Sequence, residues 1–422
     1  MRTTKNSGFE WIGEIPTSWE LYKGKYMFTQ RNLRGNTIEL QLLSPTQKYG
    51  VVPQSVYEDR SGMNAVKLNE NANLSALKTI HKGDFCISLR SFQGGFEYSE
   101  YEGVVSPAYQ VFYPVVKVAR GYYKYLFKDS GFIEKMNSYT MTLRDGKNIA
   151  FADFGNTYIP CPPVDEQQRI ADFLDTKCAE IDALTADIQA QIDTLEQYKR
   201  SVITETVTKG LNPNAEMKDS GVQWIGNMPS HWEVIRGKYI LRYMQKPVRE
   251  DDGVITCFRD GEVTLRSNRR EDGFTMSDKE IGYQGIDVGD LVVHGMDGFA
   301  GSIGISDSRG KASPVLNVLD TDQNKRYIMY YLRSMAYSDV FLALATGIRV
   351  RSCDLRWNKL ADLSYPVPPL GEQKAIVEHI DAVLAKADAV ISDKKAQLAT
   401  LDEYKKSLIF EYVTGKKEVP LS

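Results

Sequence analysis

The sequence predicts a mixed α/β fold (α+β in texture) that is written twice: two globules, each followed by one long helix, with the helices pairing as an antiparallel coiled coil. Three echoes predict it. Ser7-Gly8-Phe9-Glu10-Trp11-Ile12-Gly13-Glu14-Ile15-Pro16 returns as Ser220-Gly221-Val222-Gln223-Trp224-Ile225-Gly226-Asn227-Met228-Pro229, and both copies run on through Trp19 or Trp232 to Gly-Lys-Tyr. Pro162-Pro163-Val164-Asp165-Glu166-Gln167 returns as Pro368-Pro369-Leu370-Gly371-Glu372-Gln373. Tyr198-Lys199-Arg200-Ser201 returns as Tyr404-Lys405-Lys406-Ser407. The step is 213 residues for the first echo (220 minus 7) and 206 for the others (368 minus 162, 404 minus 198). Solenoid repeats have periods of roughly 20–50 residues, so a whole domain and its connector were duplicated.

Residues 1–160 form the first globule. Short β-branched and aromatic runs such as Phe85-Cys86-Ile87-Ser88-Leu89, Val104 to Phe112 and Asn156 to Pro160 read as strands between Gly, Asn and Pro turns. Gly121 to Asn137 has helical spacing, with Tyr122, Tyr125, Leu126, Ile133 and Met136 on one face. At Pro162-Pro163 the texture changes, and no Gly or Pro occurs from Val164 to about Thr208. Leu174, Ile181, Ile188, Leu195 and Val202 recur every seventh residue, with Cys178, Leu184 and Ile192 between them. That is a coiled-coil seam, in residues 161–210, on a rod of roughly 65 Å at 1.5 Å per residue.

Residues 211–365 repeat the first texture, with Gly289-Asp290-Leu291 matching Gly83-Asp84-Phe85 and Ser313-Pro314 matching Ser106-Pro107. Residues 366–422 carry the second long helix, its seam drawn from Ile376, Val383, Val390, Leu384, Ile391, Leu398, Leu401 and Leu408. Ile181 and Ile188 become Ala387 and Lys394 at the matching places, which favours pairing of the two helices with each other. Antiparallel pairing gives the repeat a pseudo-two-fold axis.

With 422 residues there is material for several cores, and no apolar run approaches the ~20 residues of a membrane span. Five scattered cysteines without CxxC spacing point to reduced thiols and a cytoplasmic setting. Net charge is −3, but residues 161–210 hold 5 Lys and Arg against 10 Asp and Glu, so the first helix faces protein partners rather than DNA.

Catalytic constellations are missing. The four histidines lack any HExxH or paired-carboxylate context, there is no Walker loop, and Cys161-Pro162-Pro163-Val164 lacks the amide and the aromatic of an amino-methyltransferase motif. Gly295, Gly298, Gly301 and Gly304 suit either a ligand's close approach or tight turns. What remains is a set of polar loops at matching places in both halves. Arg90, Ser91, Gln93, Arg144, Lys147 and Asn148 lie in the first globule. His294, Asp297, Arg349, Arg351, Arg356 and Asn358 lie in the second. Arg reads guanine, Asn and Gln read adenine, and Lys and Ser hold phosphates, so these twelve are the candidate DNA contacts.

The set of markers resembles the specificity subunit of a type I restriction-modification system: Trp11-Ile12-Gly13 with Pro16 and Trp19, Trp224-Ile225-Gly226 with Pro229 and Trp232, the two Pro-Pro-x-x-Glu-Gln helix starts, and the two Tyr-Lys-Arg/Lys-Ser helix ends. The resemblance implies two target-recognition domains, each reading one half of a bipartite, asymmetric double-stranded DNA target. It implies helical regions that set the spacer and dock two modification subunits. It implies no catalysis and no cofactor in this chain, with S-adenosylmethionine in the modification subunits and ATP with Mg in restriction subunits recruited through them. The rival readings are a protein-interaction adaptor and a stand-alone enzyme.

Overall fold

The computed structural model describes residues 2–35, 40–65, 73–88, 95–139, 149–269, 281–344 and 355–420. The chain divides into two compact units, one made of Met1–Ile188 with Ala396–Ser422, the other of Gln189–Lys395. The division falls inside both long helices rather than at their ends, so each unit holds the start of one helix and the finish of the other.

The same sheet is built in each unit. In the first, four antiparallel strands lie in the order Phe28–Gln30, Gln110–Pro114, Phe85–Ile87, Phe96–Tyr98; in the second, Leu241–Met244, Leu316–Thr321, Leu291–His294, Ile303–Ile305. Even the register repeats. Gln110 faces Ile87 in the first unit and Asn317 faces Val293 in the second. Four two-stranded ladders are duplicated as well, among them Glu20–Lys23 with Tyr158–Cys161 and Glu233–Arg236 with Ser364–Val367. In the sheet order, β-branched and aromatic residues occupy the two inner strands, which are packed on both faces (Val292, Val293 and Val318 are fully buried).

One frame is filled by two different cores. The first unit packs rings on rings, with Phe28, Phe85, Phe96, Phe112, Phe127 and Phe154 in one cluster and Phe112 5.0 Å from Phe154. The second uses Leu291, Val293, Ile303 and Leu319 around Tyr327, Tyr331 and Tyr365. Total filling at native density is what a core requires, and many residue sets supply it.

The long helices run Val164–Lys209 and Leu370–Val413. Their pairing is antiparallel within each unit. Lys199 meets Asp388 at 2.5 Å in the second unit, and Lys405 meets Asp182 at 2.6 Å in the first, so the partner number falls as the helix number rises. Lys394, at a seam position, donates to Gln191. Leu174, Cys178, Ile181, Ile188 and Ile192 are buried, as are Ile376, Ala387 and Ile391. Leu184 and Val390, expected in the seam, are 47% and 43% exposed. A seam two residues wide per heptad has no place for a third apolar position.

Other expectations shift in detail. The stretch from Gly121 to Asn137 is two helices, Arg120–Leu126 and Ser130–Ser138. Asp129 breaks it, its Oδ2 accepting the Phe132 N–H at 3.0 Å as an N-cap. Val104 to Phe112 is two strands, Gly103–Val105 and Gln110–Pro114. The spaced glycines serve the interior: a Cβ at Gly298 would strike Leu355 at 2.7 Å, and one at Gly304 would strike the Gly261 carbonyl.

The Pro-Pro-x-x-Glu-Gln echo is more than a helix start. Gln167 is fully buried; its Nε2 donates to the Pro162 carbonyl at 2.8 Å and its Oε1 accepts the Ala119 N–H at 2.9 Å. Gln373 does the same for Pro368 at 2.8 Å and Asn324 at 2.9 Å. The two amides pin each long helix to the short helix of the adjoining globule. At the other end Tyr122 donates to the Val413 carbonyl at 2.6 Å and Tyr327 to that of Val207 at 3.1 Å. The helices then stop at Gly210 and Gly415, with φ of 74° and 75°, and a Cβ at either would press on Trp232 or Trp19.

Candidate nucleic-acid interface

Eight of the twelve candidate DNA contacts, Arg90, Ser91, Gln93, Arg144, Lys147, Asn148, Arg349 and Arg351, lie outside the described residues. His294, Asp297, Arg356 and Asn358 lie within them, and the structure brings these four into one place. His294 ends the strand Leu291–His294, and its neighbour Gly295 accepts the Leu355 N–H at 2.8 Å. Arg356 and Asn358 follow at once, Arg356 as the residue before the helix Trp357–Asp362 and Asn358 inside it, both exposed.

His294 has a structural task. Its Nδ1 accepts the backbone N–H groups of Met296 at 3.2 Å and Asp297 at 2.9 Å, which shapes the turn. Burial pushes its pKa below the ordinary imidazole range, with Arg259 adding to the effect and Asp297 opposing it, so the ring stays neutral and able to accept. Asp297 takes an ion pair from Arg259 at 3.1 Å. Arg259, with 65% of its side chain exposed, is a cation at this turn that the sequence reading passed over. No echo marks it.

Beneath the turn sits a buried amide. Asn317 Nδ2 donates to the Leu355 carbonyl at 3.0 Å and to that of Val293 at 3.2 Å. The first unit repeats the device: Gln110 Nε2 donates to the Ile149 carbonyl at 2.8 Å, and Gln110 Oε1 accepts the Phe151 N–H at 2.8 Å. Gln110 and Asn317 stand at the same sheet position, and Ile149 and Leu355 are a 206-residue step apart. Each amide therefore ties down the first described residue after positions 140–148 and 345–354, Ile149 in one unit and Leu355 in the other. The signal was legible: a lone amide between Tyr109 and Val111, and another between Leu316 and Val318, at one repeat position. An amide in a buried strand needs partners, and a neighbouring loop backbone can supply them.

The frame around each site is equally regular. The four-residue helix Gly24–Met27 packs on Phe151–Asn156, and Gly237–Ile240 on Trp357–Asp362, the glycine lying against the Phe154 or Leu360 carbonyl. Among the described residues no helix is long and apolar enough to cross a membrane. Cys86, Cys161, Cys178 and Cys257 are free thiols.

Residues 17–194 match the family described as the type I restriction modification DNA specificity domain. Two proteins of Methanocaldococcus jannaschii named as type I restriction enzyme specificity subunits, MjaX and MjaVIII, are similar over longer stretches. MjaX is 26% identical over 275 residues, 62% of this chain and 59% of its own, so the match spans less than two thirds of that relative. MjaVIII is 25% identical over 302 residues, 67% of this chain and 68% of its own. A solved chain from work on complex assembly and conformational transition of the type I restriction-modification system shares the fold, with a TM-score of 0.69 at 14% identity, over 96% of this chain and 99% of that one. The matched domain covers residues 17–194, and over longer stretches the chain is similar to type I restriction-modification specificity subunits, whose fold it shares.

Proposed function

We propose that the chain is the non-catalytic, sequence-reading subunit of a type I restriction-modification complex. Residues 1–160 and 211–365 each read one half of a bipartite, asymmetric DNA target. The helical regions 161–210 and 366–422 set the spacer between the halves and dock two modification subunits. The observation that carries this is the pair of strand amides, Gln110 (part-buried) and Asn317 (buried), which tie down the same backbone point in both units. The residues that precede those points in sequence differ: Thr142-Leu143-Arg144-Asp145-Gly146-Lys147-Asn148 against Gly347-Ile348-Arg349-Val350-Arg351-Ser352. A fixed frame with altered loop side chains is what reading two different half-sites requires, because base edges are distinguished by the donors and acceptors presented to them.

Two modest half-site contacts joined by a stiff connector act as one tight contact only when the half-sites have the matching separation. On this reading methyl transfer belongs to the modification subunits with S-adenosylmethionine, and ATP with Mg belongs to the restriction subunits. The test is a gel-shift and methylome comparison of the assembled complex carrying Arg144→Ala or Arg349→Ala. The first substitution is expected to relax one half-site and the second the other. Effects of both on the same half-site, or no sequence-selective shift by the parent complex, overturn the proposal.

A further inference from the structure

Most residues repeated between the two halves have an interior task. Trp19 and Trp232 are fully buried, as are Gln167 and Gln373, and Gly24 and Gly237 lie where any side chain would strike a carbonyl. Lys25-Tyr26 and Lys238-Tyr239 have no such task, and they share their exposure with the repeated Tyr198 and Tyr404 of the long helices, which are 52% and 54% open. All four residues of the two pairs are exposed, and Tyr26 and Tyr239 are 63% and 74% open to solvent. The geometry of the pair also repeats, with Lys25 Nζ 5.6 Å from the Tyr26 ring centre and Lys238 Nζ 5.1 Å from that of Tyr239. Folding explains neither the retention nor the exposure.

We propose that these two Lys-Tyr pairs hold the phosphate backbone of duplex DNA, one pair for each half-site. This rests on the DNA-reading function proposed above and adds to it the contact that is blind to sequence. Identical side chains cannot distinguish two different half-sites, so they suit the feature both half-sites share. Lys offers a point charge and Tyr a hydroxyl donor, two of the groups that commonly contact phosphate oxygens. The ring beneath each ammonium restricts it by a cation–π contact. A second cation stands two residues before each tyrosine's lysine: Lys23 over the Tyr158 ring at 5.4 Å, and Arg236 donating to the Asp362 carbonyl at 2.6 Å.

Position agrees with chemistry. Lys25 donates to Asn156 Oδ1 at 3.2 Å, on the helix Phe151–Asn156 that begins just after the Gln110 anchor at Ile149. In the second unit Gly237–Ile240 packs on Trp357–Asp362, the helix that carries Asn358 and follows Arg356. Each pair thus flanks the helix that follows, in sequence, a candidate base-reading segment. A protein-docking surface is the weaker fit, since lysine is depleted at protein interfaces.

The test is a salt series of binding isotherms with the full chain assembled with its modification subunits, on a duplex carrying the target and on a scrambled duplex. Lys25→Ala with Lys238→Ala is expected to weaken both duplexes equally, leaving the discrimination ratio unchanged. It is also expected to flatten the slope of log K against log salt by about 2, at about 0.9 per phosphate contact. Tyr26→Phe with Tyr239→Phe is expected to give a smaller, equally uniform loss with the slope retained. An unchanged slope and affinity in the lysine variant, with the parent still selective, overturns this inference and leaves the proposed function standing. A changed discrimination ratio overturns it in favour of base reading. Loss of assembly on a sizing column with the DNA slope intact overturns it in favour of protein docking. A parent complex with no selectivity sinks the proposed function itself.

Discussion

Lys199 on the first long helix holds Asp388 on the second at 2.5 Å, and the same contact recurs a 206-residue step away, where Lys405 holds Asp182 at 2.6 Å. The Tyr-Lys-Arg/Lys-Ser echo therefore keeps its lysine as a register mark. Exposed ion pairs contribute little to stability, about 0.2–1 kcal/mol. Their value lies in orientation: a parallel pairing would set these lysines against other residues.

Charge reversal tests the mark. Lys199→Glu is expected to cost about 0.5–1 kcal/mol, and adding Asp388→Lys to recover most of it. Urea unfolding of the four members of the cycle measures the coupling. A coupling of zero would remove the register role.

The buried glutamines should matter more. Gln167→Ala leaves the Ala119 N–H and the Pro162 carbonyl without their partner, and Gln373→Ala does the same at Asn324 and Pro368. Each unsatisfied buried group costs about 1–3 kcal/mol. Denaturant melts should therefore show a loss of at least about 2 kcal/mol for either variant, several times that of the ion-pair reversal.

Asn317→Ala removes the tie between the strand Leu316–Thr321 and Leu355. Hydrogen exchange at the Leu355 N–H, which Gly295 accepts, should accelerate on that substitution, and exchange at Phe151 on Gln110→Ala. Discrimination at one half-site should fall with each, while binding of unrelated duplex stays. Unaltered exchange would show that the amides are not the anchors.

Glu97 gives the first unit a pH signature. It is fully buried on the strand Phe96–Tyr98, and desolvation raises its pKa to about 7 although Lys128 at 2.7 Å opposes the shift. A carboxyl raised in the folded state contributes stability that is fully present below its unfolded value of 4.5 and lost as pH rises through about 7. Melts of the parent are expected to lose stability across that window, and Glu97→Gln to flatten the decline. A variant with the parent's slope would exclude Glu97 as its source.

Much of this was legible in the sequence because duplication shows itself without any structure. Among the described residues four two-stranded ladders and a sheet order recur, and the echoes at Trp11, Pro162 and Tyr198 already implied it. Helix existence followed from periodicity, yet Leu184 and Val390 were misplaced because a seven-residue period does not say how wide the seam is. The site was harder. Base-reading residue types say nothing of backbone context, so the turn that His294 Nδ1 holds by accepting two backbone N–H groups was not legible. Gln110 and Asn317 escaped notice because polar strand residues usually face water, although each interrupts an apolar run at one repeat position; the segment each one reaches is shown by its hydrogen bonds.

The Tyr122–Val413 hydrogen bond joins residues 291 positions apart. The second unit, Gln189–Lys395, is one uninterrupted stretch; the first must wait for Ala396–Ser422. At about 5–20 residues per second on the ribosome, that wait lasts on the order of 15–60 s. During it the faces of Pro16 and Trp19 that receive Gly415 lie bare on the nascent chain. The globule that is synthesised first is the one completed last, and a message truncated late would spare the second unit while leaving the first unfinished.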